Sequence, residues 1–470
     1  MEWGPLYPIL SLLTPQQGVN DSERTRQTAD SMLAQALSGE ELTMAVRASS
    51  IAQLDQVLDH KPLADLSLSF LLLLSAKAYK LEHARPQQNL AVARAKLLQQ
   101  TGQLLYQISA TVASKELKKL SVLCEEYARQ AMDMQQSIKA IFPLRSFLLR
   151  YHEQEKAVLT PLHAQFLYLC LHSKCYFAAM EILDQTIVEI HSQLQLVTSV
   201  DFLGYAYYGG LLFLGEKRYQ DALNFFQLAV TAPAVTLSAF VIEAYKKLLL
   251  VTLISKGERA MLPKYTPFVV VRHVENHCPV YTELVNAFVI DKDLTALQKV
   301  VTKKNELFVQ ENNLGLVKQV VQAFKQQKLL QLKRTYATIE LTQIAMVAGI
   351  VNSDAHAAEK LLLHLISTGQ MDAIIDKQKA MARFVLEDED SENCCEDVRG
   401  EATLKLQKEM EKLVMVASQL RYMDVELVTS AKFQSRMQKD KDRRSRSNMH
   451  NQQSEEHTLL DGACGMDTVE

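Results

Sequence analysis

QLKRTYATIELTQIAMVAGIVNSDAHAAEKLLLHLISTGQMDAIIDKQKAMARFVL, residues 331–386, is the stretch that decides the fold. Gln331–Ala337 continues a preceding helix, and Ile339–Val347 reads as a second, with Leu341, Ile344, Ala345 and Ala348 on one face. Asn352, Ser353 and Asp354 offer side-chain oxygens to cap a third helix. That helix places Ala358, Leu361, Leu362, Leu365 and Ile366 at helical spacing and stops at Gly369. Met371–Ile375 and Ala380–Val385 then alternate as two strands about the polar turn Asp376–Lys379. Three helices and a hairpin, in that order, form a winged-helix pattern.

Upstream of it, everything reads as helix. Thr160 and Pro161 open Leu162–Leu171; Tyr176–Gln193 pairs back against it. Phe202–Leu214, a turn at Gly215–Arg218 and Tyr219–Val230 repeat the arrangement. Tyr176, Ala179, Leu183 and Thr186 have the same spacing as Tyr219, Ala222, Phe226 and Ala229. An aromatic followed by small and apolar residues at that interval marks the second helix of a tetratricopeptide-like repeat, because small residues let paired helices close and aromatics fill between them. Helices are expected to continue through 238–255, 263–276, 279–289, 292–309 and 313–327. Before residue 160 the periodicity is helical throughout, with Pro62, Pro86 and Pro143 at the expected breaks.

Composition agrees. The 470 residues are 48% hydrophobic, with 15 Gly and 11 Pro, so several helical domains with ample cores are expected. A net charge of −3 argues against a protein built mainly to neutralise phosphates. Seven irregularly spaced cysteines suit a reducing compartment. Glu2 and the lack of a basic run before Leu6–Leu13 do not read as a secretory signal, and Leu66–Ala76 is too short to span a bilayer. A soluble, intracellular protein is expected.

Downstream of the hairpin, Glu387–Asp397 carries seven acids in eleven residues and reads as a solvated loop. Glu401–Met423 follows as one long helix, with Leu406, Met410, Leu413, Ala417 and Leu420 stepping by four and three in a coiled-coil-like seam. From Lys432 the chain lacks periodicity and reads as disordered. Arg443–Ser447 within it has the form of a basophilic-kinase target, with Ser445 and Ser447 as acceptors, or of a weak nuclear-localisation patch.

Catalytic motifs are missing. There is no His-Glu-x-x-His, no phosphate-cradling Gly-x-x-x-x-Gly-Lys loop and no Gly-x-Ser-x-Gly elbow. His163, Cys170, His172 and Cys175 cluster in sequence, but a two-residue step on a helix points Cys170 and His172 apart, so packed thiols explain them better than zinc. His273 and His277 share a face without a third ligand, and the adjacent Cys394 and Cys395 do not favour a relaxed disulfide. No metal and no cofactor is expected, and no catalytic residue. The third helix offers His356, Glu359, Lys360 and His364 beside Asp354, a poor match to DNA phosphates. The surfaces that call for partners are instead the wing strands, with Met371, Ile375, Met381 and Val385, and the seam Leu406, Met410, Leu413 and Leu420. The seam helix suits a bundle with partner chains better than a fold-back onto its own domain.

Helical repeats running into a winged helix and then a lone helix resemble the PCI-domain family of the proteasome lid, the COP9 signalosome and a translation initiation factor. Tyr207-Tyr208-Gly209-Gly210, Thr231-Ala232-Pro233-Ala234, Glu243-Ala244-Tyr245-Lys246-Lys247, Leu262-Pro263-Lys264-Tyr265-Thr266 and Asn312-Asn313-x-Gly315-Leu316 resemble the third-subunit branch of the signalosome, over roughly 160–380. The acidic insertion and the Arg/Ser tail do not. The resemblance implies a mostly α chain: a right-handed solenoid, a winged helix and a C-terminal helix. Its segments would be 1–160 and 161–330 for the repeats, 331–386 for the winged helix, 387–399 for the acidic linker, 400–430 for the bundle helix and 431–470 for the tail. It further implies a non-catalytic scaffold among other PCI and MPN subunits, in the complex that removes NEDD8 from cullin–RING ligases, with no membrane or nucleic-acid partner. The alternatives are a lid or initiation-factor subunit, or a winged-helix nucleic-acid adaptor.

Overall fold

The structure is a computed structural model; it describes residues 49–59, 67–83, 90–154, 158–185, 187, 190, 197–347, 349, 355–367, 369–384, 396–431 and 433–439. It divides into two units, residues 1–386 and 387–470.

The first unit begins with α1 (Ile51–Asp59), α2 (Ser67–His83), α3 (Leu90–Gln107), α4 (Leu117–Asp133) and α5 (Ser137–Gln154). The repeats continue with α6 (Pro161–His172), α7 (Tyr176–Leu183), α8 (Ser199–Gly215), α9 (Tyr219–Thr231) and α10 (Ala239–Ser255). Next come α11 (Phe268–His277), α12 (Pro279–Asn286) with a π-helical turn at Ala287–Asp291, α13 (Leu294–Lys303), α14 (Asn305–Gln310) and α15 (Leu314–Lys333). Local chemistry sets several starts. Thr198 and Asp201 form a reciprocal capping box on α8, Thr198 N–H donating to Asp201 Oδ2 at 3.0 Å and Asp201 N–H to Thr198 Oγ1 at 3.3 Å. Asp293 caps α13 through Thr295 N–H at 3.0 Å.

The ends are more telling. Four tight turns, at Gln135, Lys174, Lys217 and Asn312, place a non-glycine residue at φ between 55° and 60°. In each, the next N–H reaches five residues back: Gln136 to Ala131, Cys175 to Cys170, Arg218 to Phe213 and Asn313 to Phe308, at 2.8–2.9 Å. This is the Schellman closure, repeated at successive helix hairpins. One expected break is wrong: the chain turns at Gln135, and Pro143 lies buried inside α5. Pro143 packs opposite Gly102 on α3, whose Cβ position lies 3.6 Å from the ring, an ordinary contact distance. Tertiary packing thus offsets the lost helix bond. The expected 292–309 helix is likewise two helices, broken at Lys304.

The predicted repeat positions are interior. Ala179, Ala222, Phe226 and Ala229 are fully buried, and Tyr176 and Tyr219 pack against the same core. Thr186 lies outside the described residues. Gly209 and Gly210 let α8 and α9 close: a Cβ would meet Phe225 at 2.7 Å from the first and Phe226 at 2.6 Å from the second.

The winged helix has its own small core. Strand β1 (Thr338–Glu340) precedes α16 (Leu341–Val347), α17 (Ala355–Ser367), β2 (Ala373–Asp376) and β3 (Met381–Phe384). The sheet is antiparallel in the order β1-β3-β2, with Ile339 and Ile375 both opposite Ala382. Ile339 and Glu340, expected to open the second helix, instead form a strand with Thr338. Its partner lies some forty residues on, so no local pattern could announce it. Ile344, Leu362, Leu365, Met371 and Ala382 fill the core between sheet and helices. Helix α15 serves both cores, giving Val317, Val320 and Phe324 to the repeats and Leu329 and Leu332 to the winged helix.

The second unit contains α18 (Glu396–Thr429), longer at both ends than the predicted 401–423. Residues 433–439, expected to be disordered, are helical; 387–395 and 440–470 lie outside the described residues, with Cys394, Cys395, Ser445 and Ser447. Among the described residues, no helix is long and apolar enough to cross a membrane.

Candidate subunit-contact surfaces

The sheet order decides which wing strand can accept a partner. β3 is bonded on both sides, so it offers no edge, and the surface expected at Ala380–Val385 is a central strand. The edges are β1 and β2. Among the expected contact residues, Met371 is buried at 1% exposure and belongs to the core rather than to a surface. Ile375 packs partly against that core, and Met381 is half-buried on β3 between Glu340 and Asp376. Val385 lies outside the described residues. Period-two alternation explains the reversal: Ile375 faces inward, so its neighbour Ile374 faces out at 61% exposure, across from Arg383. Any partner joining β2 would do so through main-chain groups, with Ile374 as side-chain contact.

Helix α17 is tied to the wing. Glu359 accepts from Lys377 at 2.8 Å and lies 3.6 Å from His356 Nδ1; the Lys377 bond and charge hold its carboxyl below the usual range. One wing cation is thereby engaged by the protein rather than free for phosphate. Asp354 is not among the described residues.

On α18, Leu406, Met410, Leu413 and Leu420 are all exposed. So are Leu404, Val414, Tyr422, Val425 and Val428. The apolar surface is therefore wider than one seam, a composition suited to a helix surrounded by others.

The third assembly of side chains was not foreseen. Lys246 on α10 donates to Glu243 at 2.7 Å and to Glu311 at 2.8 Å. Lys247 donates to Asn313, the N-cap residue of α15. Asn313 Nδ2 donates to the Tyr281 hydroxyl at 2.6 Å, and that hydroxyl donates to Glu311. Burial pulls Lys247 below its ordinary value; Lys246, also buried, is held above by its two carboxylates. Burial pushes the nearby Cys278 thiol up to about 11. The network pins the start of α15 to α10 and α12. Its signal was present: two lysines inside AFVIEAYKKLLLVTLIS, an otherwise apolar helix, need buried partners.

His163 and Cys170 have structural roles. Thr160 N–H donates to His163 Nδ1 at 3.0 Å, which leaves the ring proton on Nε2 to donate to His152 Nε2 at 2.7 Å. Burial, then the neighbouring His152, holds His163 down to about 3. Cys170 is buried, its thiol pushed up to about 12. No group of three metal-ligand side chains forms among the described residues. His273 and His277 are exposed on α11.

A family model described as the N-terminal helical repeats of COP9 signalosome complex subunit 3 matches residues 31–270, and a PCI-domain model matches 288–384. The chain is 31% identical over 313 residues to COP9 signalosome complex subunit 3 of Dictyostelium discoideum, covering 66% of this chain and 72% of that protein. It is 34% identical over 264 residues to the protein of the same description from Arabidopsis thaliana, covering 56% and 59%.

Proposed function

We propose, from the premise that this chain belongs to the COP9 signalosome subunit 3 family, that it is a non-catalytic scaffold subunit of that complex, which removes NEDD8 from cullin–RING ubiquitin ligases. The observation that carries the reading is a PCI domain with two open sheet edges, β1 and β2, behind repeats matched to this one subunit family. Edge pairing with another PCI subunit adds main-chain hydrogen bonds and needs no catalytic group. The apolar breadth of α18 supports insertion into a helical bundle. The partners are then the other PCI and MPN subunits, with cullin ligases reached through the assembly, in cytoplasm and nucleus. Rigid repeats set spacing; edges and seam supply contacts.

Co-expression with the remaining subunits tests this. The chain should co-purify with a NEDD8 isopeptidase, and Ala373→Pro, at the first residue of β2 where the N–H faces away from β3, should weaken its incorporation while the isolated chain stays folded. Co-purification with proteasomal ATPases instead, or cleavage of NEDD8–cullin by the isolated chain, refutes it.

A further inference from the structure

Residues 256–267, which link α10 to α11, and the first turns of α11 carry an apolar surface that packing among the described residues leaves exposed. Leu262 packs against the repeat core, and the buried Thr266 closes a turn onto the Pro263 carbonyl, its hydroxyl at 2.7 Å and its N–H at 3.0 Å. Val270 and Val274 fix the inner face of α11 in the same core. With those anchors inward, Met261, Tyr265, Phe268 and Val271 point outward, at 91%, 72%, 73% and 52% exposure. Single exposed apolar residues are ordinary, but four large ones within eleven positions make a patch.

The charges around it are uneven. Arg259 binds Glu275 at 2.9 Å, which braces the loop to α11 and cancels that pair. Within residues 256–272 the remaining charges are Lys256, Lys264 and Arg272 against Glu258, and the Arg272 guanidinium sits 6.0 Å from the Phe268 ring centre. Tyr, Phe, Met and Arg are the side chains enriched at the buried centres of protein interfaces.

Resting on the assembly reading above, we infer that this patch docks an acidic segment of another subunit. Its carboxylates lie against Lys264 and Arg272, and its apolar side chains against Tyr265 and Phe268. A second copy of this chain is disfavoured because a two-fold contact would set the same cations against one another. Single-stranded nucleic acid would use the aromatic rings and cations but not Met261 and Val271.

The test uses the full chain co-expressed with the other signalosome subunits. A photoreactive benzoylphenylalanine replaces Tyr265 in one preparation and Met410 in another. The inference expects position 265 to cross-link to one partner, within a segment where Asp and Glu outnumber Lys and Arg. Lys264→Glu with Arg272→Glu should lower that yield roughly tenfold, whereas Lys264→Arg with Arg272→Lys should keep it. Cross-links to a second copy, to nucleic acid or to a basic segment overturn the inference. Cross-links at 410 with none at 265 also overturn it, leaving the assembly reading intact; none at either position overturns both.

Discussion

Gly210→Ala would measure how closely α8 and α9 approach. The added Cβ would lie 2.6 Å from Phe226 Cε1, 2.8 Å from Cδ1 and 3.0 Å from Cζ. Carbon atoms prefer about 3.5–4.0 Å, so ring or helix must yield by about 1 Å. Phe226 is fully buried, with its neighbours on α8 and α9 in the same core. Overpacking of that kind costs about 1–3 kcal/mol, and replacing Gly by Ala inside a helix returns about 1 kcal/mol. The net is a loss of about 1 kcal/mol, rising toward 2 if the helices cannot separate. Gly315, second residue of α15, is the control: nothing lies within 4 Å of its Cβ, so Gly315→Ala gains only the helical preference, at most about 1 kcal/mol. Urea unfolding of the full chain, followed by circular dichroism, should therefore move the two midpoints in opposite directions. If Gly210→Ala stabilises as much as Gly315→Ala, the interlock described between α8 and α9 is wrong.

Asn313→Ala removes the acceptor of buried Lys247 and the donor to Tyr281, and should cost about 1–3 kcal/mol in urea unfolding; Lys247→Met combined with Asn313→Leu should recover most of it, and strict additivity of the two would count against the network. His163 is held near 3 against an unfolded value near 6.5, so the unfolded chain takes the proton first as pH falls. Stability is then full above about pH 6.5 and declines below it by about 1.4 kcal/mol per pH unit, with His152 acting in the same direction; His163→Asn should flatten the slope between pH 5 and 6.5, and an unchanged slope would refute the assignment. Leu406→Asp with Leu413→Asp and Leu420→Asp should release the chain from its complex in size-exclusion chromatography while leaving the thermal unfolding of residues 1–386 in place; continued co-elution with the other subunits would argue against a bundle role for α18.

The helical repeats were legible because each helix writes its own buried stripe: Ala179, Ala222 and Phe226 are interior where their spacing says. The winged helix was legible as a hairpin behind α17, but its third strand was not. Thr338–Glu340 becomes a strand only by pairing with β3, and the same register that creates it converts the expected edge into the middle of the sheet. Met371 was misplaced because the strand begins only at Ala373, which leaves Met371 ahead of it and packed in the core. Pro143 shows propensity overruled by packing against Gly102. The Lys246, Lys247, Glu311 and Asn313 network joins residues more than sixty positions apart, a distance no local pattern bridges. Only the oddity of lysines in an oily helix pointed to it.

Helix α15, rooted at Asn313 and ending under the sheet, acts as a spindle common to both bodies. Twenty residues span about 30 Å, so a tilt of about 5° at the root swings the far tip by roughly 2.5 Å. That is half the spacing between neighbouring strands, about 4.8 Å, and enough to put β1 or β2 out of step with a strand aligned beside it. A tilt of the repeats is therefore carried to the wing, and the polar clamp at Lys247 fixes the angle at which the shared helix leaves them.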